Sequence, residues 1–369
     1  MTIISYTYRV PLSYINSRVH KFSAVVIFLI ATLFNSPVSG EINLNGFGSL
    51  YAGRVTEGSE FLADYPKTGI YDDQWSLSPD SSLGLQFSSY FTDDFSLIVQ
   101  VVVHGATDSG ADVDWLYLNY HLSSELSIQL GRKRLPLYYY SDYFDVGYAY
   151  YWIRPPADLY TWQITNYNGV SLLYEKSLGD WDSSINLYYG NEESDDNELL
   201  GLLFGVPVNE SWNDMVGIVG AMANDWVDIR LSYMQGQVNR DINGVRVINE
   251  AEQQFLGVSV NLTLNQLQVL SEFNKYERPD NDIQIDTYML SFGYQLGDFT
   301  PHITRSGLEQ QVNAAGNDEK HHTTSIGLRW DFYKNMAFKV QYDMVVDDGV
   351  IVPIKGDSKA VALGLDFVF

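Results

Sequence analysis

The chain has 369 residues, and its 46 acidic side chains outnumber the 22 basic ones, which gives a net charge of −24 at pH 7. This balance excludes a nucleic-acid partner, because neutralising phosphates requires a basic surface. The chain contains no cysteine, so a disulfide framework and thiolate metal sites are excluded as well.

Residues 1–40 have the pattern of a secretory signal peptide. Their charged side chains are all basic (Arg9, Arg18 and Lys21), and they precede an apolar run from Phe22 to Phe34. That run is shorter than the roughly 20 residues that a membrane-spanning helix needs. Small residues follow at 38–40, so we predict cleavage after residue 40, with a permanent membrane anchor as the alternative.

The rest of the chain consists of short segments in which apolar and polar residues alternate, as they do in transmembrane β-strands. The last segment shows this most clearly, because Leu365, Phe367 and Phe369 share one face and Gly364, Asp366 and Val368 share the other. One face of each segment is expected to meet lipid and the other water. Sixteen segments have the pattern: 42–54, 81–91, 95–103, 111–122, 125–133, 167–176, 181–190, 212–222, 226–235, 251–262, 266–276, 285–296, 299–306, 319–332, 335–346 and 358–369.

The connections between these segments alternate in length. Those after even-numbered segments have at most four residues, and most contain turn formers such as Gly179-Asp180 and Asn224-Asp225. Those after odd-numbered segments are all longer, and the longest is 134–166. Short turns at one rim and long loops at the other are typical of a transmembrane barrel with periplasmic turns and extracellular loops.

We therefore predict an all-β fold, in which residues 41–369 form one transmembrane antiparallel β-barrel of about sixteen strands. Lipid does not tolerate open sheet edges, so the sheet must close on itself. A barrel of this size leaves room for an aqueous channel. A soluble β-sandwich or a two-domain β protein is the alternative, but neither explains why loop length alternates so regularly.

The sixteen segments, the signal-like start and the C-terminal strand Leu365, Phe367 and Phe369 resemble the Gram-negative outer-membrane porin superfamily. In general porins the loop after the fifth strand folds into the barrel and narrows it, and 134–166 occupies that place here. This loop lacks the Pro-Glu-Phe-Gly-Gly stretch of enterobacterial general porins, so the chain resembles a divergent branch. The resemblance also implies that a C-terminal strand directs membrane insertion and that three copies of the chain form a homotrimer.

Charged residues at a constriction set the selectivity of such channels. The constriction loop (134–166) contributes Asp142, Asp145 and Asp158 as candidate pore acids. Candidate bases on the polar faces of wall strands are Arg230, Arg329 and Lys339, which lie at a similar distance from the turn rim. We expect the loop acids to face these wall bases across the pore. Alternatively, the acids pair locally with the bases at 132–134.

The same loop is rich in aromatic residues, with Tyr138, Tyr139, Tyr140, Tyr143, Tyr148 and Trp152 among them. Tyrosines in barrels commonly form interfacial girdles or pack loops. A surface on which sugars stack is the other interpretation.

The connection 191–211 holds six acids and no base: Glu192, Glu193, Asp195, Asp196, Glu198 and Glu210. It is expected to be a solvated, repelling surface. The alternative is that Ca²⁺ or Mg²⁺ bridges these carboxylates to lipopolysaccharide phosphates, since both ions prefer oxygen ligands. Neighbouring strand residues point to opposite faces, so His321-His322 is a poor metal chelate and no protein-bound metal or other cofactor is expected.

These patterns predict a porin in the outer membrane that passes small hydrophilic solutes and ions by diffusion. We expect a weak preference for cations, because acids are concentrated in the long loops. A channel selective for a sugar or another nutrient is one alternative, and a structural or adhesin barrel is another. The chain has no Gly-x-Ser-x-Gly elbow and no Gly-rich phosphate loop, so an enzyme is not expected.

Overall fold

The computed structural model describes residues 42–107, 110–312, 318–349 and 356–369. The predicted signal peptide, 1–40, and its cleavage point lie outside the described residues. In the described ranges no helix is both long and apolar enough to cross a membrane.

Alternating apolar and polar residues build a closed antiparallel barrel of sixteen strands, which β1 completes by pairing with β18. The strands, in chain order, are β1 (Ile42–Glu57), β2 (Phe61–Asp64), β3 (Gly69–Tyr71), β4 (Ser82–Tyr90), β5 (Phe95–His104), β6 (Ala111–His121), β7 (Leu126–Arg134), β8 (Asn166–Leu178), β9 (Trp181–Ser194), β10 (Val208–Ala223), β11 (Val227–Ile242), β12 (Val245–Leu264), β13 (Leu267–Arg278), β14 (Ile283–Tyr294), β15 (Phe299–Val312), β16 (Glu319–Tyr333), β17 (Met336–Asp347) and β18 (Ser358–Val368). A separate two-stranded sheet is formed by β2 and β3.

Each of the sixteen predicted segments corresponds to one barrel strand, so the predicted fold class is confirmed. The clearest difference concerns 236–250, which was predicted to be a loop. There β11 and β12 continue as a hairpin and are joined by Asn243-Gly244, both with positive φ (50° and 77°). Such a pair is typical of the tight two-residue turn that matches the twist of a hairpin. The opposite rim of the barrel has the short turns that the sequence predicts. We call that rim the turn side and the rim with the long connections the loop side.

Two further elements lie in the long connections on the loop side. The segment 55–79 contains the β2–β3 hairpin, whose Phe61 and Tyr71 are buried against Val55 of β1. The acidic connection 191–211 contains the helix α1 (Glu198–Phe204), which Asn197 caps through its side chain. Leu199 and Leu200 of this helix are buried, whereas Leu203 and Phe204 are 41% and 47% exposed.

The barrel wall presents its apolar face outward. Leu290, Phe292 and Ile303 are between 43% and 48% exposed, as expected of side chains that meet lipid. On the C-terminal strand, the rings of Phe367 and Phe369 lie over Gly48 and Gly46, where a side chain would collide with them. The backbones of Gly46 and Phe369 exchange two hydrogen bonds of 2.9 Å, which fixes the seam where the barrel closes.

Candidate functional site

The constriction loop fills much of the barrel interior. From its origin at the end of β7 it reaches strands on the far side of the barrel, where the Trp152 indole donates to Thr304 Oγ1 (2.8 Å) and the Tyr151 hydroxyl to Ser291 Oγ (2.7 Å). The backbone N–H of Ile153 donates to Gln341 Oε1 at 3.0 Å. Trp152 is fully buried although it belongs to a loop. The loop therefore crosses the lumen and is attached to the opposite wall.

The three candidate wall bases all contact this loop, but they bind its backbone instead of facing its acids. Arg230 donates to the carbonyl of Pro136 (2.9 Å). Arg329 donates to the carbonyls of Tyr148 (2.8 Å) and Tyr150 (2.9 Å). Lys339 donates to those of Gly147 (2.7 Å) and Trp152 (2.6 Å). The expected pairing of these wall bases with the loop acids is not found, because their donors bind loop carbonyls instead.

Lys339 is also the centre of a buried charge network. Its ammonium lies 2.6 Å from Asp366 Oδ2, and both side chains are at most 1% exposed. Asp366 accepts further hydrogen bonds from Tyr51 (2.5 Å) and Ser49 (2.7 Å). A buried charge is costly unless it is paired and hydrogen-bonded, and here the four groups satisfy one another. We call Lys339, Asp366, Tyr51 and Ser49 the seam network, since it joins the loop to the closing strands β1 and β18.

The loop acids have partners other than the wall bases. Asp145 forms an ion pair with Arg134 and accepts from His104 Nε2 at 2.9 Å. Burial raises the pKa of Asp145, but the charges of Arg134 and His104 outweigh that effect, and the pKa lies below its ordinary value. The alternative of local pairing therefore applies to Asp145, which uses Arg134, the base at the end of β7 where the loop begins.

Asp158 and Asp142 differ from each other in environment. Asp158 is buried and accepts from Ser306 (2.5 Å) and Thr323 (3.1 Å), and it lies 3.2 Å from His321 Nε2. Burial raises its pKa, but these partners outweigh that effect and lower it. Asp142, in contrast, is exposed, and its charge acts on Lys133 and Arg134 at the start of the loop.

A second base of the loop, Arg154, forms a buried bridge that sequence analysis did not identify. Its guanidinium pairs with Asp80 and, at 2.6 Å, with Asp343 Oδ2 of β17. The same group lies 4.9 Å from the centre of the Phe61 ring in β2. The bridge therefore holds the constriction loop, the wall and the outer hairpin together. In the sequence Asp343 alternates with the apolar residues Tyr342 and Met344, but its partner depends on the path of the loop.

The aromatic residues of the loop pack mostly with one another and with the wall. Tyr138 contacts Tyr160 and Phe255, with ring centres 4.6 and 5.4 Å apart. Tyr140 and Trp152 are buried with a centre distance of 5.4 Å. These rings form a hydrophobic core inside the barrel. For Tyr138, Tyr140 and Trp152 this agrees with the interpretation that the aromatic residues pack the loop.

Three of the predicted aromatics, Tyr139, Tyr143 and Tyr148, are only half-buried and line a cavity of about 550 Å³. The cavity lies between the loop and the turn side of the barrel, where residues such as Trp226 and Gln268 flank the short turns. We call it the turn-side vestibule. The constriction loop thus lies between the turn-side vestibule and the loop side of the barrel.

The acids of 191–211 are not uniformly solvated. Glu192 pairs with Arg132 at 2.8 Å, and Glu210 is buried against Arg240 at 2.7 Å. The expectation of a simple repelling surface is therefore wrong for these two residues, because Arg132 of β7 and Arg240 of β11 reach them. In the described part of the chain no group of three or more His, Asp or Glu side chains is arranged to hold a metal ion.

No family model and no curated protein matches the chain at the level of sequence. Its structure, in contrast, is similar to several solved outer-membrane proteins. The anion-selective porin from Comamonas acidovorans superposes with a TM-score of 0.59 at 14% identity, over 90% of this chain and 100% of the other. OmpF of Salmonella typhi, solved in complex with daunomycin, gives 0.58 at 16% identity over 90% and 99%. The trimer form of OmpT, an outer-membrane protein of Vibrio cholerae, gives 0.56 at 10% identity over 89% and 99%.

These matches cover nearly the whole length of each neighbour. At such low identity they establish the fold alone, which is that of the outer-membrane porins of Gram-negative bacteria. The predicted resemblance is thereby confirmed at the level of architecture.

Proposed function

We propose that the chain is a porin of the outer membrane that passes small hydrophilic solutes and ions by diffusion through a narrow pore. The observation that carries this proposal is the constriction loop, which crosses a sixteen-stranded barrel and is attached to the opposite wall by Arg230, Arg329 and Lys339. A loop fixed in this way sets the width of the path through a barrel. No step of this function requires catalysis, so we propose a channel and not an enzyme.

The packing of the loop favours a narrow pore over a wide one. Trp152 and Tyr138 are buried in a core shared with the wall, so this part of the cross-section is filled by side chains. The passage is expected to run where the loop is exposed, beside Asp142. Single-channel recording in planar bilayers tests this: discrete openings of low conductance support the proposal, and a purified folded protein without openings would refute it.

Weak cation preference remains part of the proposal. Asp142 is exposed, whereas the three wall bases have their charges directed at loop carbonyls. An exposed acid at a narrow point attracts cations, whereas the positive charges of Lys339 and Arg329 are compensated by Asp366 and Asp331. The reversal potential in asymmetric KCl measures this preference directly, and an anion-selective value would contradict it.

The location and the oligomeric state of the protein are also part of this proposal. The C-terminal strand, with Leu365, Phe367 and Phe369 on its outward face, is proposed to direct insertion into the outer membrane after removal of the signal peptide. The Vibrio cholerae neighbour is described as a trimer, which supports a homotrimer here. Binding of Ca²⁺ or Mg²⁺ between acids of the outer connections and lipopolysaccharide is proposed for those carboxylates that bases do not pair. Detergent-corrected mass tests the trimer, and a monomeric mass would refute it.

A further inference from the structure

The turn-side vestibule combines aromatic rings with neutral polar side chains in one cavity. Its volume of about 550 Å³ falls in the range of roughly 300–1,000 Å³ that is common for small-molecule sites. Tyr139, Tyr143 and Tyr148 come from the constriction loop, and Trp226 comes from the rim beside a short turn. Rings from two separate parts of the chain therefore border the same space.

The polar lining consists mainly of amides and hydroxyls. Asn261, Gln268, Gln295 and Thr300 border the cavity and carry no charge. Amide and hydroxyl groups can both donate and accept hydrogen bonds, so they suit a ligand with many hydroxyl groups. None of these four residues would attract an ion.

Of the three charged groups in the lining, two pair with each other and the third, Asp228, binds a tyrosine hydroxyl. Arg329 binds Asp331 through two nitrogens at 2.7 and 3.0 Å, and its remaining donors bind loop carbonyls. Asp228 accepts the hydroxyl of Tyr139 at 2.7 Å. Burial and then this bond raise the pKa of Tyr139 to about 12, so its hydroxyl remains a donor at neutral pH. An anionic ligand would therefore find no free base, whereas the second oxygen of Asp228 can accept from a hydroxyl.

We propose that the turn-side vestibule is a binding site for a neutral oligosaccharide. The apolar ring faces of a sugar can pack on the tyrosines while its hydroxyl groups bond the amides and Asp228. Aromatic residues provide a large contact area with a polar edge, which suits such amphipathic ligands. The inference rests on the proposed channel function, since a solute that crosses the constriction enters this chamber.

Isothermal titration calorimetry with maltotriose tests the site on the full chain, in a detergent that has no sugar head group. The wild type should bind saturably, and Tyr148→Ala and Gln268→Ala should each raise the Kd at least tenfold. Trp75→Ala is the matched control, because Trp75 is 55% exposed in the connection between β3 and β4, on the loop side. This control should leave the Kd within twofold of the wild-type value.

Several results would overturn the assignment. The first is a wild type that binds no maltotriose saturably, and the second is an equal loss of affinity in Trp75→Ala. Saturable binding of tetraethylammonium without binding of maltotriose would instead indicate a cation site built on Asp228. Both vestibule variants must keep the wild-type melting temperature. If one of them misfolds, the other variant still tests the site.

Conductance separates this inference from the proposed function. Channels that conduct but bind no maltotriose would retain the porin and refute the sugar site. Binding of maltotriose by a protein that does not conduct would retain the site and refute the channel.

Discussion

Lys339→Met is the substitution that most directly tests how the constriction loop is held. The ammonium of Lys339 lies within 2.7 Å of Asp366 and of the carbonyls of Gly147 and Trp152. Methionine has a similar length but supplies no donor. Removing one partner of a buried ion pair costs about 3–5 kcal/mol, because the other charge remains buried and uncompensated. Each carbonyl that loses its donor adds about 1–3 kcal/mol if it stays buried.

The barrel itself should survive, since its strands are joined by a continuous hydrogen-bonded ladder. The loop can relieve the strain by moving away from the wall, which lets water reach Gly147, Trp152 and Asp366. We therefore expect Lys339→Met to raise single-channel conductance severalfold and to add noise to the open state. Planar-bilayer recording of the wild type and the variant measures both effects.

A double variant separates the charge from the hydrogen bonds. Lys339→Met combined with Asp366→Asn removes both charges, so only the hydrogen bonds to the carbonyls are lost. The double variant should therefore have a higher melting temperature than Lys339→Met alone. Lys359→Met is a matched control, because Lys359 forms an exposed pair with Glu57 at 2.5 Å. Exposed pairs contribute little, so this control should behave as the wild type. If Lys339→Met has the conductance and melting temperature of the control, the loop is not held by the seam network.

Three other predictions concern charge, pH and the lipid face. Asp142→Asn should shift the reversal potential toward anions and keep that shift at 1 M KCl, because screening by salt is weaker inside a constriction than at an open mouth. The pKa of Asp145 lies below its ordinary value, so its stabilisation of the loop is complete above about pH 4 and is lost as the pH falls further. Protonation of Asp145 should therefore cause no step in conductance between pH 8 and pH 5, and any step in that range should persist in Asp145→Asn. Leu290→Arg should lower the free energy of unfolding by about 2–4 kcal/mol in lipid, because Leu290 is 43% exposed near the middle of an outward strand face.

Each of these has an outcome that contradicts it. An unchanged reversal potential in Asp142→Asn would mean that ions pass elsewhere. A conductance step near pH 6 would mean that another group controls the loop. Val247→Arg is the control for the lipid face, since Val247 is 52% exposed in the β11–β12 hairpin, close to the Asn243-Gly244 turn. Equal destabilisation by both arginines would mean that Leu290 does not face lipid.

Alternation of apolar and polar residues was enough to predict every strand of the barrel, because a wall between lipid and water enforces that period on each strand. The hairpin at Asn243-Gly244 was missed although its turn signal is plain, since loop length was inferred from where alternation faded. From 241 to 250 nearly every residue is exposed or half-exposed, so the two faces of the hairpin have similar surroundings. Alternation therefore weakens before the strand pairing ends.

The site was less predictable than the wall. The bases Arg230, Arg329 and Lys339 were identified by their polar strand faces, and they do contact the constriction loop. Whether a base meets a carboxylate or a carbonyl depends on the path of the loop, which no local pattern encodes. Alternation likewise places Asp366 and Asp343 on the polar faces of their strands, but their partners are far away in sequence.

The conductance of the purified chain in asymmetric KCl tests the account most directly. A pore narrowed by a loop that crosses the barrel should give discrete openings of low conductance, with a reversal potential that favours cations and persists at 1 M salt. Large, unselective openings would mean that the loop does not narrow the path. A folded, membrane-inserted protein that never conducts would contradict the channel itself.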